Sequence, residues 1–276
     1  MKAQSEGAAF HFISGLPRSG STLLAALLKQ NPRFHAGMTS PVGGMFLALL
    51  EAMSDRTETS SFLDNSARQR IARGLVENYY ATSKAGVIFD THRLWCSKLP
   101  ALRLLFPQSR LIACVRDTSW IIDSFERLVR RNALQPSSIF NFSAGGTVYS
   151  RASTLANSDG PVGFSYDALR DAFYGEHAQS MLLVQYDTLA NNPGKALAAV
   201  YDFIGEPWFE HDFENVEFEE GAAYDERLGT PGLHAVGRHV RAVPRATILP
   251  QDLFQRFASD SFWRDPGMNV RGVRIV

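Results

Sequence analysis

The chain has 276 residues, of which 45% are hydrophobic and 20% charged, as in a globular protein with an extensive core. Its formal net charge is zero, so bulk charge does not indicate a nucleic acid or membrane partner, and any anion site depends on local charge. Two cysteines, Cys96 and Cys114, suggest neither a disulfide framework nor a metal site. We find no leader and no run of about 18 apolar residues, which predicts a cytoplasmic protein without a membrane span.

Short apolar runs predict buried strands at residues 8–14, 86–91, 110–115 and 181–186. Aliphatic or amphipathic stretches predict helices over residues 22–31, 44–53, 65–84, 98–106, 118–131 and 193–204. Strands that alternate with helices indicate an α/β fold with a mostly parallel central sheet, flanked by helices in three layers. We expect a single domain over residues 1–276.

Three stretches have a different composition. Residues 133–162 are rich in Ser, Asn, Gly and Pro, which predicts a long surface segment that can act as a lid. Residues 210–220 carry six acidic side chains and are interpreted as a solvated face. Residues 227–245 carry four arginines and two histidines among turn residues.

The segment Gly15–Thr22, with the sequence GLPRSGST, nearly matches the phosphate-binding loop pattern G-x-x-x-x-G-K-[ST]. Its two glycines have the required spacing and Thr22 supplies the hydroxyl, but Ser21 stands where the pattern has lysine. The positive charge comes earlier, from Arg18. In ATP-using loops the lysine bridges the β- and γ-phosphates, so its absence favours a nucleotide with a shorter 5′ tail.

The donor groups of this loop suit an anion. Around Gly20 the backbone can turn sharply, so that consecutive N–H groups face one anion at the N-terminus of the following helix. Ser19, Ser21 and Thr22 add hydroxyl donors, and Arg18 adds a planar guanidinium. We therefore predict that Arg18, Ser19, Gly20, Ser21 and Thr22 bind a nucleotide.

The segment FISGLPRSGSTLLAALL resembles the 5′-phosphosulfate loop of sulfotransferases, which use 3′-phosphoadenosine 5′-phosphosulfate (PAPS). The resemblance implies a P-loop-like α/β fold, PAPS as the sulfuryl donor and no metal.

That family also carries an arginine after a later strand and a serine eight residues on, both contacting the 3′-phosphate; Arg116 and Ser124 match them. Eight residues return to roughly the same helical face, so both can reach one phosphate. The alternative is an arginine that pairs with Asp117 beside an exposed helix serine.

A third stretch, VQYDTLANNPGKALAAVYDFIGEP, resembles a tyrosine, proline and phenylalanine-x-glycine series of the same family. By this resemblance Tyr186 contacts the adenine region, whereas a strand-end tyrosine packed in the core is the alternative. The resemblance covers about residues 10–210 and is poor beyond them.

For the catalytic base we select His92, which follows a predicted strand at the edge where α/β sites collect. Its segment DTHRL resembles the lysine-threonine-histidine-leucine-proline segment of cytosolic sulfotransferases, whose histidine is the base. Asp90 stands in place of that lysine, so a contact to sulfate there is in doubt, and Arg93 is a candidate to supply the charge. Arg18 is predicted to act on the leaving-group side.

A second base and a closing loop are also considered. Tyrosylprotein sulfotransferases use a glutamate after the first helix, but the corresponding stretch FHAGMTSPVGG has no carboxylate, and His35 is a weaker alternative. The late segment GTPGLHAVGRHVRAVPR can close over PAPS through Arg238, with His234 and Arg245 behind it; a solvated basic loop is equally compatible.

The acceptor cannot be identified from the sequence. Residues 35–60 and 133–162 are predicted to shape its pocket, whose content permits a small molecule or a peptide with a hydroxyl or amine. No nucleic acid partner is indicated, and a homodimer is compatible with the sequence.

Two other functions are considered: an ATP-dependent small-molecule kinase or NTPase with Asp90 holding Mg²⁺ through water, and a non-catalytic nucleotide-binding protein.

Overall fold

Six strands form one sheet in the computed structural model, which describes residues 7–276. They are β1 (Ala9–Gly15), β2 (Phe34–Ala36), β3 (Val87–Thr91), β4 (Leu111–Val115), β5 (Met181–Gln185) and β6 (Arg274–Ile275). Their order is β2-β3-β1-β4-β5-β6, and every neighbouring pair is parallel. The expectation that the N-terminus carries no leader concerns residues 1–6 in part, and these lie outside the described residues.

Helices cover both faces of this sheet. Those of the described residues are α1 (Ser21–Leu28), α2 (Val42–Ala52), α3 (Asn65–Tyr79), α4 (Leu99–Leu105), α5 (Thr118–Arg131), α6 (Val148–Ala156), α7 (Pro161–Tyr174), α8 (Tyr186–Asn191), α9 (Pro193–Ile204), α10 (Ala222–Arg227) and α11 (Gln251–Arg256). The six predicted helices are all present, although α3 ends five residues earlier than expected, at Tyr79.

The strand β4 shows why the fold has three layers. It is buried along its whole length, and its side chains alternate between two hydrophobic cores. Leu111, Ala113 and Val115 pack in one core with α5 and α7, whereas Ile112 and Cys114 pack in the other with α1 and α9. A strand buried on both faces reads as a continuous apolar run, as LIACV does. The predicted three-layer α/β fold is confirmed.

Parallel strands bring the predicted site residues to one edge of the sheet. Since β1 lies between β3 and β4, the strand order changes direction there, and a crevice opens at the carboxyl ends of these strands. The loop Gly15–Thr22 follows β1, His92 follows β3, Arg116 follows β4 and Tyr186 follows β5. The topology alone therefore gathers residues that are up to 171 positions apart in the sequence (15 to 186).

The stretch 133–162, which the sequence predicts to be a long surface segment, is helical in part. This stretch contains the 3₁₀ turn Ser138–Phe140 and the helix α6, and α7 begins at Pro161. Thr147 and Ser150 form a reciprocal capping box at the start of α6, and Leu155 is buried in the core. Capping and burial thus stabilise a helix in a segment whose composition favours turns.

Two expectations about the whole chain can be compared with the structure. Cys96 and Cys114 are both buried free thiols. Within residues 7–276, no helix combines the length and the apolar character needed to cross a bilayer.

His11 in β1 is a buried titratable group. Its Nδ1 accepts a hydrogen bond of 3.1 Å from the Arg110 amide, and its ring packs against Phe89. Burial, together with the nearby charge of Arg110, lowers the pKa of His11 to about 4. The folded state therefore holds this imidazole in its neutral form.

The stability of the fold is predicted to depend on pH through this residue. An unfolded histidine has a pKa of about 6.5, so the contribution of His11 is complete above that pH and is lost as the pH falls towards about 4. The variant His11→Asn keeps an acceptor for the Arg110 amide but does not titrate. Between pH 6.5 and 5, the free energy of unfolding in urea should fall less steeply with decreasing pH for this variant than for the wild type. The two slopes should differ by about 1.4 kcal/mol per pH unit. Parallel curves for the two proteins would contradict this account.

Candidate active site

One cavity of about 630 Å³ opens at the carboxyl edge of the sheet. Its walls come from the Gly15–Thr22 loop, the ends of β3, β4 and β5, and the segment 233–245. All but one of the residues predicted from the sequence line it: Arg18, Gly20, Ser21, Thr22, His92, Arg116, Ser124, Tyr186 and Arg238. The exception is Ser19.

The loop after β1 has an unusual backbone. Gly15 and Gly20 have φ values of 102° and 96°, and Arg18, a residue with a side chain, has φ of 57°. A Cβ at Gly15 would lie 2.2 Å from the Cys114 carbonyl oxygen, so only glycine fits there. Gly20 is the N-cap of α1, whose first-turn amides have no carbonyl within the helix to bind. The left-handed conformation of Arg18 costs about 1–2 kcal/mol, which is typical of a functional loop.

The Ser19 hydroxyl does not reach the cavity, although the sequence suggested it as an anion donor. Its side chain is fully buried, and its Oγ faces the Leu16 carbonyl and, at 2.8 Å, the Cys114 carbonyl. It therefore attaches the loop to β4. Ser21 and Thr22 are the loop hydroxyls that line the cavity.

Arg18 extends from this loop across the cavity. Its Nε donates a 3.1 Å hydrogen bond to Ser124 Oγ, and its Nη1 donates to the Leu233 carbonyl. Burial and the charges of Arg93 and Arg116 lower the pKa of Arg18 to about 10. The guanidinium is still charged at neutral pH.

Arg116 lies beside Arg18 and not in an ion pair with its neighbour. Asp117 instead accepts from Ser261 Oγ at 2.6 Å and lies 3.3 Å from Arg264 Nη1. The Arg116 guanidinium stacks 4.0 Å from the centre of the Tyr186 ring, and its Nη1 donates to the Arg18 carbonyl at 3.4 Å. The half-buried Tyr186 thus holds an arginine in the cavity.

The charges in the cavity are unbalanced. Within residues 7–276, Arg18, Arg93 and Arg116 form no ion pair, and the Arg93 side chain has no hydrogen-bond partner there. Three guanidinium groups, the Ser21, Thr22 and Ser124 hydroxyls and a helix N-terminus form a donor set suited to an anion with more than one phosphate or sulfate group. The predicted nucleotide fits this chemistry.

His92 lies on the opposite side of the loop, at the end of β3. Its Nδ1 accepts a hydrogen bond of 3.2 Å from the Leu94 amide. Because that nitrogen accepts, the proton of the neutral imidazole is assigned to Nε2. Burial lowers the pKa of His92, Asp90 opposes this shift, and Arg93 adds to it. In this tautomer Nε2 is a donor, so the predicted base role of His92, which stays a prediction, would need a change of tautomer.

Asp90, which stands where the resembling family has lysine, does not line the cavity. It has no exposed surface, and it accepts hydrogen bonds of 2.6 Å from each of Ser40 Oγ, Tyr80 Oη and Trp95 Nε1. Its carboxylate therefore links three elements beneath His92. Arg93, in contrast, lines the cavity.

Sequence reasoning missed a pair formed by His234, which lines the cavity, and the buried Asp225 behind it. His234 Nδ1 lies 2.5 Å from Asp225 Oδ1, and the His234 amide donates to Asp225 Oδ2 at 2.8 Å. The sequence indicates His234 only as a residue behind Arg238 in the closing loop, and it gives no indication of Asp225. No local pattern indicates the pair, because it forms only when the turn 228–233 folds back on α10.

The basic segment approaches the same cavity. Arg238 and Arg245 both line it, and the Arg245 Nη2 lies 3.1 Å from the buried Asp123 carboxylate. Asp123 also accepts from the Ile248 amide and from Thr247 Oγ1. The segment is therefore anchored to α5 at its C-terminal end, next to the cavity.

A family model and two solved structures are similar to this chain. The model of the sulfotransferase family matches residues 11–210. The sulfotransferase domain from the curacin biosynthetic pathway superposes with a TM-score of 0.57 and 17% identity over 92% of this chain and 96% of that domain. The sulfotransferase domain from the Synechococcus PCC 7002 olefin synthase has a TM-score of 0.48 and 19% identity over 96% of this chain and 98% of that domain.

The contact between α2 and His92 gives a prediction with a matched control. A Cβ at the buried Gly43 would lie 2.4 Å from His92 Cγ, whereas a Cβ at the adjacent Gly44 would have no heavy atom within 4 Å. We expect Gly43→Ala to displace the imidazole and to lower the free energy of unfolding by about 1–3 kcal/mol. Gly44→Ala should raise it by about 0.5–1 kcal/mol through helix propensity. Urea unfolding and the NMR shifts of the His92 ring measure both effects, and equal behaviour of the two variants would contradict the prediction.

Proposed function

Since this chain belongs to the sulfotransferase family and is a sulfotransferase, we propose that it moves a sulfuryl group from PAPS to a hydroxyl or amine acceptor. The observation that carries the proposal is the set of guanidinium groups of Arg18, Arg93 and Arg116 around one cavity, none of which has a carboxylate partner within residues 7–276. This surplus of positive charge favours an anionic ligand, and a nucleotide with more than one anionic group fits it.

The loop after β1 would hold the 5′ end of PAPS. Ser21, Thr22 and the first-turn amides of α1 offer hydrogen bonds to the 5′-phosphosulfate, and Arg18 adds charge. Arg116 and Ser124, which are linked through Arg18, would bind the 3′-phosphate. Tyr186 orients Arg116 by stacking and would contact the adenine region, and Arg238 would cover the nucleotide from the C-terminal segment.

When bound, PAPS supplies an activated sulfuryl group whose leaving group is a phosphate. Around that group Arg18 would stabilise the charge that develops on the leaving oxygen. Arg93 lines the cavity without a protein partner and would contact the sulfuryl oxygens, as the lysine does in the resembling family. His92, the base predicted from the sequence, lies in the same cavity wall. In the tautomer assigned above its Nε2 carries the proton, so this role would need a change of tautomer.

We expect the two segments that the sequence suggested to form part of the acceptor pocket. Met38 and Thr39 of the first segment and Ile139 and Pro161 of the second line the cavity, as does Tyr224. Their mixed apolar and polar character suits a small molecule or a peptide side chain with a hydroxyl or amine.

A kinase is the less favoured alternative. Ser21 replaces the lysine that a γ-phosphate mechanism uses. The carboxylate that was considered for Mg²⁺, Asp90, has three protein donors and does not face the cavity. A non-catalytic nucleotide-binding protein is disfavoured by the histidines His92 and His234, two of the three in the cavity wall.

Arginine variants test the two phosphate positions separately. Loss of a charged hydrogen bond should weaken binding about 10- to 100-fold. We expect Arg18→Ala to weaken both 3′,5′-adenosine diphosphate (3′,5′-ADP) and 5′-AMP, and Arg116→Ala to remove mainly the preference for the 3′-phosphate. Isothermal titration calorimetry measures the four affinities, with Arg56→Ala, an exposed arginine outside the cavity, as the control. Unchanged binding of 3′,5′-ADP by both variants would refute the site assignment.

The nucleotide that this protein binds more tightly is predicted to raise its Tm more. A ligand at 100 times its Kd stabilises the folded state by about 2.7 kcal/mol. We therefore expect 3′,5′-ADP to raise Tm by several degrees and ATP with Mg²⁺ to have a much smaller effect. The reverse order would favour the kinase.

A further inference from the structure

The strongest unassigned feature of the cavity is the pair formed by His234 and Asp225. Asp225 is 2% exposed, and both of its carboxylate oxygens form hydrogen bonds with His234. Oδ1 contacts the ring Nδ1, and Oδ2 accepts from the backbone amide. The side chain of His234 is 12% exposed and lines the cavity. The pair lies outside the span that matches the family model, which ends at residue 210.

The hydrogen bonds define which nitrogen of His234 carries the proton. A carboxylate accepts, so Nδ1 must donate to Asp225 Oδ1, and the neutral ring has its lone pair on Nε2. Within residues 7–276 no protein group hydrogen-bonds to His234 Nε2. This is the reverse of His92, whose Nδ1 accepts from the Leu94 amide and whose proton is on Nε2.

Arg18 and Arg93, which are proposed to act around the sulfuryl group, lie near His234. Its neighbour Leu233 accepts a hydrogen bond from Arg18 through its carbonyl. The charges of Arg18 and Arg93 act on His234, and the Tyr224 ring lies 5.7 Å from its ring. An acceptor oxygen next to these two arginines would therefore be near the imidazole.

We propose that His234, held by Asp225, is the general base that takes the proton from the acceptor. The assignment rests on the proposed function. In the step, the acceptor O–H bond breaks and its proton moves to His234 Nε2 while the oxygen forms a bond to sulfur. The bond between sulfur and the 5′-phosphate oxygen breaks, and 3′,5′-ADP leaves with that electron pair. Asp225 stays ionised and stabilises the imidazolium. His92 then serves as an Nε2–H donor to the reacting oxygens.

The charged groups around His234 favour a base that is neutral before the reaction. Burial lowers its pKa, the hydrogen bond and charge of Asp225 oppose this, and Arg93 and Arg18 lower it further. Tyr224 is the other titratable group that packs on the ring. The rate should therefore rise with pH through an ionisation below the ordinary histidine value of about 6.5.

Long-range ¹H–¹⁵N NMR spectra of ¹⁵N-histidine-labelled protein, saturated with 3′,5′-ADP, test the assignment without turnover. The expected result is an Nδ1–H tautomer for His234 and an Nε2–H tautomer for His92. An Nε2–H tautomer at His234 would overturn the proposal. Binding of 3′,5′-ADP, followed in the same samples, reports on the proposed function separately, because it does not depend on the tautomer.

The variant Asp225→Asn sharpens the test. Its amide oxygen must accept from the His234 backbone N–H, so its NH₂ group faces Nδ1 and forces the proton to Nε2. We expect the tautomer to switch, 3′,5′-ADP binding to persist, and the release of 3′,5′-ADP from PAPS to fall by about 100-fold or more. His234→Gln should give the same loss and remove the rising limb of the pH profile.

His92→Gln is the comparison variant. It should lower the rate but keep the rising limb, because it removes a donor and not the base. A limb that survives in His234→Gln and disappears in His92→Gln would overturn the assignment and return the base role to His92.

Discussion

The structure depends on holding three guanidinium groups, those of Arg18, Arg93 and Arg116, in one cavity without a carboxylate to neutralise them. Like charges repel strongly where water is partly excluded, and burial together with the charges of Arg93 and Arg116 lowers the pKa of Arg18. The packed sheet must offset this cost, together with the strained backbone at Arg18. The surplus positive charge fits a polyanionic donor, and a bound anion would relieve the repulsion between these groups.

Much of this site can be predicted from the sequence because it depends on local physics. A glycine loop between an apolar strand and an aliphatic helix forms an anion cradle in any α/β protein. Arg116 and Ser124 were selected by the resemblance to sulfotransferases, and the helical period explains why both can reach one phosphate. Since parallel strands end at one edge, the order of the predicted strands was enough to gather these residues, and the structure brings them together through Arg18.

The parts that sequence reasoning missed depend on tertiary contacts. The three donors of Asp90 come from residues up to 50 positions away, so the sequence could show the departure from lysine but not the reason for it. The direction of the Ser19 hydroxyl depends on the β4 backbone. The pair of Asp225 and His234 needs a turn with no recognisable pattern, and the helix α6 is stabilised by a cap and buried contacts in a polar segment.

In the proposed complex, the hydrogen bond from Arg18 to the Leu233 carbonyl would affect how long a nucleotide stays bound. A donor that already has a protein acceptor gains, on binding an anion, only the difference between the new bond and the old one. When the product leaves, the Leu233 carbonyl and Ser124 Oγ are at hand to take the guanidinium back, so dissociation does not strand a buried charge. The Leu233 carbonyl would thus compete with the proposed nucleotide for Arg18, which would shorten residence time and favour turnover over tight retention of the spent donor.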